Sequence, residues 1–120
     1  AMDIAYHVVF EVDEESIDNE LSIAIYRIVQ ECVNNASKDS AARNFWVELT
    51  QAEEGIRLLV RDDGVGIDPN TRRSGLGLTT IRDRAAALGA AYRLDTDHRG
   101  TQHLVIFRNT PVQLAKVVNG

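Results

Sequence analysis

Glu31, Asn35 and Lys38 set a carboxylate, an amide and an amine at steps of four and three residues. In a helix such positions fall within about 60° of one another, so the three share a face. Their stripe projects roughly 100° from the centre of the neighbouring apolar stripe, at the border of the buried face, where it either edges a pocket or forms a surface ladder. Asn34 projects almost opposite the core and is expected in solvent. A second group, Asp62-Asp63-Gly64-Val65-Gly66, follows directly on the apolar run at 56–60. It reads as a tight Asp-Gly turn, or as a strand end where Asp62 accepts a hydrogen bond and the glycines let the backbone lie against a flat ligand. A third group, Gly75-Leu76-Gly77-Leu78-Thr79, opens a helical pattern. Free amides at a helix start suit phosphate, while glycines there equally suit a flexible loop. Neither common phosphate cradle is present: there is no Gly-x-x-x-x-Gly-Lys-Ser/Thr, and Gly75-x-Gly77 follows a polar loop and lacks the third glycine of a dinucleotide fingerprint.

The elements that must position these groups follow from periodicity. Residues 6–12 read as a strand, and the acidic run after it, with no Lys or Arg over residues 11–20, suits a solvated lead into a helix N-terminus. From 19 to 38 the apolar residues Leu21, Ile25, Ile28, Val29, Cys32 and Ala36 recur at three- and four-residue steps, which predicts an amphipathic helix. Residues 45–50 and 56–61 predict a hairpin, 62–74 a loop, and 76–88 a second helix stopped by Gly89. Two further strands, 91–95 and 101–107, are split by the turn Asp97-His98-Arg99-Gly100. This order predicts an α+β two-layer sandwich: a mostly antiparallel sheet with its helices on one face.

With 120 residues, 44% of them hydrophobic, the chain supports one core and reads as a single domain over 1–120. The 13 basic against 18 acidic residues give a net charge of -5, which argues against nucleic acid as a partner. No apolar run approaches the ~20 residues of a membrane span. One cysteine and three scattered histidines offer neither an internal disulfide nor a zinc set, and fit a reducing compartment. The chain is also expected to be a fragment of a longer protein.

Taken in order, helical Glu-x-x-x-Asn, then strand-Asp-x-Gly-x-Gly, then Gly-x-Gly-Leu, then Gly100-Thr101 leading into a last strand resembles the ATP-binding GHKL or Bergerat fold of histidine kinases, gyrases and their relatives, over about residues 19–108. The segment from Tyr26 to Lys38 looks like the N box, and Gly75 to Gly89 like the G2 box with its helix. The Gln30-Glu31 pair, the Arg82-Asp83-Arg84 run and the short lid at 67–74 are most similar to sensor histidine kinases of the nitrate-sensor type.

The resemblance implies that Asp62 accepts from the adenine amino group, with Gly64 and Gly66 allowing close approach and Thr101 near the adenine. It implies Asn35 as a Mg²⁺ ligand, Glu31 at the phosphoryl site, Lys38 on phosphate oxygens, and Gly75, Gly77 and Leu78 at the lid. ATP and Mg²⁺ are the implied cofactors. The implied partners are dimerisation helices of the same full-length protein, which carry the phosphoacceptor histidine and make the homodimer, and a response regulator. The implied setting is the cytoplasmic side of a membrane-anchored sensor kinase. Asp39 departs from the family, which commonly has histidine after the lysine; Arg72 and Arg73 offer compensating phosphate contacts. Two other readings of the same fold are a degenerate, partner-binding module and an anti-sigma-factor-like serine kinase.

Overall fold

The computed structural model describes residues 3–38, 41–66 and 72–108, with the side chains at 38 and 72–79 outside that description. Strand β1 (Ala5–Glu11) leads through a 3-10 turn, Glu14–Ser16, into helix α1 (Asn19–Lys38). The chain continues through β2 (Asn44–Ala52), β3 (Gly55–Asp62), α2 (Arg72–Ala87), β4 (Ala91–Asp97) and β5 (Gly100–Arg108). The sheet order is β1-β2-β3-β5-β4, with β1 parallel to β2 and the other three pairings antiparallel. The expected α+β sandwich with a mostly antiparallel sheet is what the chain forms.

Local chemistry sets the ends of the helices. The Asp18 carboxylate accepts from the Leu21 amide at 2.8 Å, so one of the first-turn N–H groups of α1 is capped. At the end of α2 the amides of Gly89 and Ala90 donate to the carbonyls of Ala86 and Ala85, the paired bonds that close a helix in a left-handed turn. The alternation of β3 and β5 puts Ile56, Leu58 and Val60 beside Val105 and Phe107, all buried against Ala24, Ile28, Cys32 and Ala36 of α1 and Ile81 and Ala85 of α2. The same alternation carries Asp62, Thr101 and His103 onto the helix-covered face, where they are the buried polar residues of the described chain.

Helix α2 begins at Arg72, four residues ahead of the expected start at Leu76. Leu76 is where apolar periodicity begins, but Arg72 and Arg73 are good helix formers and occupy a first turn whose N–H groups need no internal partner. Gly75 and Gly77 are therefore the fourth and sixth residues of α2 and do not precede it, which corrects the expectation that they open the helix. The four strands from β2 to β5 each run one or two residues past the apolar runs that predicted them, because ladder bonds continue through Asn44, Asp62, Asp97 and Gly100 after the apolar residues have stopped.

Candidate functional site

Asp62 is the last residue of β3 and Thr101 the second of β5, and the ladder sets them directly opposite one another. Both are buried, at 6% and 2% exposure. Asp62 Oδ1 accepts from the Gly64 amide at 2.8 Å, a short Asx turn that bends the chain away from the strand end. The Thr101 hydroxyl lies 2.9 Å from that of Thr96, its ladder partner on β4.

Two glycines hold this end together by close approach. A Cβ on Gly100, at φ +151°, would sit 2.1 Å from the Asp62 carbonyl oxygen; one on Gly66, at φ +88°, would sit 2.1 Å from that of Asp97. The loop after β3 thus lies against the β4–β5 turn at contact distances that only glycine permits. Asp63, adjacent to Asp62, has a different task. Its carboxylate accepts from the amides of Arg43 and Asn44 and from the Asn44 side chain, all at 2.9 Å. Desolvation raises the Asp63 pKa, yet the hydrogen bonds from Asn44 and Arg43 outweigh it and hold the carboxyl below the ordinary carboxylate value. One carboxylate of the pair ties down the entry to β2 and the other faces the helix layer.

On α1, Asn34 is exposed while Glu31 and Asn35 are half-buried, as the helical projection requires. Cys32 sits between them at 1% exposure. Burial pushes its thiol pKa far up, and the negative charges of Asp62 and Glu31 push it further; Cys32 and Asp62 are both buried under the helix layer. The end of β3 and the polar edge of α1 therefore converge. Asn35 Nδ2 is buried without a hydrogen-bond partner among the described residues, and Arg84 Nε on α2 is the other such atom.

Mg²⁺ takes oxygen ligands, so Oδ1 is the atom of the Asn35 amide that could hold it, with phosphates and water completing an octahedral shell, while the unpartnered Nδ2 is a donor that suits a phosphate oxygen. Among the described residues no group of three or more His, Cys, Asp and Glu could hold a metal without such outside ligands. The side chain of Lys38, the whole of Asp39, the side chains of Arg72, Arg73 and Leu78, and the lid at 67–71 lie outside the described residues.

Behind Thr101, His103 is buried and its pKa is pushed down to about 4 by desolvation. Burial raises that of Tyr92, whose hydroxyl is hydrogen-bonded to His103 Nδ1 across 2.8 Å. Sequence reasoning passed over this pair and Thr96. The turn at 98–99 carried a signal for Thr96, since a two-residue hairpin connection puts Thr96 opposite Thr101. A recess of about 380 Å³ opens at the same end of the sheet; Asp62, Thr96 and Thr101 border it together with Trp46, Arg61 and Gln102. Arg61 and Gln102 alternate with Asp62 and Thr101, so the two pairs of side chains point to opposite faces at the end of the sheet where the recess opens.

Residues 20–112 match the family described as histidine kinase-, DNA gyrase B- and HSP90-like ATPases. The chain is 30% identical over 95 residues to the signal transduction histidine-protein kinase/phosphatase UhpB of Salmonella typhimurium, covering 79% of this chain and 19% of that one. It is 28% identical over 98 residues to the nitrate/nitrite sensor protein NarX of Escherichia coli, covering 81% of this chain and 16% of that one. It thus spans about a fifth of the length of such relatives. Its fold superposes on the ATP-binding domain of PrrB from Mycobacterium tuberculosis with a TM-score of 0.72 at 18% identity, covering 92% of this chain and 83% of that one. Among the described residues no helix is long and apolar enough to cross a membrane. With a family match over residues 20–112 and a fold shared with ATP-binding domains, the chain belongs to the histidine kinase-, DNA gyrase B- and HSP90-like ATPases.

Proposed function

We propose that this chain is the ATP-binding, catalytic domain of a sensor histidine kinase of the nitrate-sensor type. The observation that carries the reading is the buried Asp62 beside Thr101 at the strand ends, facing the polar edge of α1. Asp62 accepts a hydrogen bond from the adenine amine while the Thr101 hydroxyl stands next to it, and the Gly64–Gly66 backbone lies along the base. Asn35 holds Mg²⁺, which neutralises phosphate charge. Glu31 faces the phosphoryl site one turn earlier on the same helix, and Lys38 reaches phosphate oxygens. Gly75, Gly77 and Leu78 in the first turns of α2 line the lid. This is the division that phosphoryl transfer asks for: positioning and charge neutralisation, with little covalent work for the protein.

The γ-phosphoryl group goes to a histidine outside these 120 residues, on a dimerisation helix of the longer protein, and from there to a response regulator. The domain works on the cytoplasmic side, where ATP is available. Each of its own histidines is placed unfavourably for the role. His103 is buried, His98 is in the β4–β5 turn, and His7 stacks on Trp46 with its Nε2 3.0 Å from the Asn44 side-chain oxygen. Radiolabelled ATP, given to this chain and to a longer one that includes the upstream helices, tests the reading. Acid-labile, base-stable label is expected on the longer chain only, and it should vanish with Asn35→Ala. Label on the isolated chain, or none on the longer one, would reject it.

A further inference from the structure

The two edges of the sheet are built differently. β4 closes one side and exposes Arg93, Asp95, Thr96 and Asp97, and outward charges of this kind keep an edge from pairing with another chain. β1 closes the other side with Ala-Tyr-His-Val-Val-Phe-Glu, and contains no proline, lysine or arginine. All seven of its residues are exposed, with Tyr6, Val8 and Phe10 at 57%, 68% and 54%. The Ala5 amide donates to the Arg43 carbonyl at 2.9 Å, so Ala5, His7, Val9 and Glu11 turn their main-chain groups toward β2. Tyr6, Val8 and Phe10 turn theirs outward, and among the described residues no strand receives them.

We propose that β1 pairs antiparallel with β1 of a second copy of this chain, about a two-fold axis at Val8, joining the two sheets into one. The strand is self-complementary in this register. Val8 faces Val8 of the second copy, and Tyr6 faces its Phe10 on either side of the axis. All three outward-turned residues then form hydrogen-bonded pairs, each exchanging two N–H···O bonds. A slip of two residues either way leaves two such pairs, and a slip of one sets outward groups against inward ones. The aromatic pairs flanking a β-branched pair are the cross-strand contacts that stabilise sheets.

Charge permits the pairing as well. The Glu11 side chains of the two copies stand six residues apart along the interface, about 20 Å, which is beyond the Debye length of ~8 Å at physiological salt. The exposed fractions of Tyr6, Val8, Val9 and Phe10 amount to about 450 Å² of side-chain surface per copy, short of the ~800 Å² a partner gives to a standard interface, so the dimer is weak and concentration-dependent.

The test uses this 120-residue chain in sedimentation velocity from about 1 μM to about 1 mM, the span over which an interface of this size dissociates. A monomer–dimer equilibrium is expected within it. Val8→Lys places two ammonium groups at the axis and should weaken the dimer at least tenfold, while ATP-analogue binding shows that the variant is folded. Val8→Cys should form a disulfide-linked dimer under mild oxidation, because hydrogen-bonded pairs set their Cα atoms ~5.5 Å apart, within disulfide reach. The native Cys32 is buried and does not compete. Phe10→Cys should not link, since its two copies stand about 14 Å apart. A chain that stays monomeric to 1 mM overturns the proposal and leaves β1 to some other segment. A dimer that survives Val8→Lys, or that links through position 10 and not 8, overturns it as well.

Discussion

Replacing Asp62 by Asn is the sharpest perturbation of the adenine reading, because it alters one atom at a site whose surroundings are fixed. The side chain is 6% exposed, so it acts in a largely desolvated setting. Oδ1 already accepts from the Gly64 amide at 2.8 Å, and an asparagine oxygen retains that bond. The turn therefore keeps its bond, and the change falls on the other carboxylate atom. Where a carboxylate oxygen would accept from the adenine amine, an NH₂ group now meets another donor. Losing a charge-assisted hydrogen bond and leaving a buried donor unmatched costs roughly 1–3 kcal/mol, which is about a 5- to 150-fold weaker dissociation constant. Guanine should respond in the opposite sense, since it presents a carbonyl that a carboxylate repels and an amide can donate to, so the ATP-over-GTP preference should shrink or invert.

Isothermal titration with non-hydrolysable ATP and GTP analogues in Mg²⁺ measures both effects. Asp63→Asn provides the matched control, because its carboxylate is spent on Arg43 and Asn44; it should lower stability and leave the nucleotide preference unchanged. Wild-type ATP affinity in folded Asp62→Asn would refute the assignment of Asp62, and a changed preference in Asp63→Asn would mean that the wrong member of the pair was chosen.

Three further outcomes are expected. Asn35→Ala should remove most of the Mg²⁺ dependence of ATP-analogue affinity, and Asn34→Ala, at an exposed position, should change it by less than about twofold; titrations with and without Mg²⁺ decide between them. Gly100→Ala should cost about 2 kcal/mol or more in denaturant unfolding and abolish nucleotide binding, because a Cβ 2.1 Å from the Asp62 carbonyl is relieved only by moving that strand end. His103 should make the domain acid-labile: its folded pKa of about 4 lies below the 6.5 of a free histidine, so the unfolded chain binds the extra proton first. Stability should then fall as pH drops from 6.5 toward 4, by at most about 3 kcal/mol, and level off below. His103→Gln retains an acceptor for Tyr92, and its unfolding curves should lose that slope; an unchanged slope would assign it to other groups.

The parts of this fold that were legible in the sequence are those where burial writes a period into the chain. The three- and four-residue steps of Leu21, Ile25, Ile28, Cys32 and Ala36 predict α1, and the same steps fix which of Asn34 and Asn35 faces inward. The start of α2 was not legible, because its first turn is polar and glycine-containing and carries no apolar signal. The division of labour between Asp62 and Asp63 was hidden for a different reason. Their types are identical, and only the return of Arg43 and Asn44 to the end of β3, some twenty residues away in sequence, sets one apart from the other. The stacking of His7 on Trp46 and the Arg61 guanidinium over the same ring depend likewise on the register of β1 and β3 against β2.

The same long-range pairing explains how one buried carboxylate is held in place. Asp62 is the last ladder residue of β3, so its backbone is held by the strand; Gly100 presses on its carbonyl and the Gly64 amide takes one carboxylate oxygen. Each of these restraints comes from a different stretch of chain. The helix layer then sets the field around it: Cys32 of α1, buried in the same core, stays a neutral thiol because burial and the charges of Asp62 and Glu31 oppose its ionisation. An acceptor fixed in advance in a nearly dry site loses little freedom when it meets an amine, and that preorganisation is what converts a single hydrogen bond into a preference for one base.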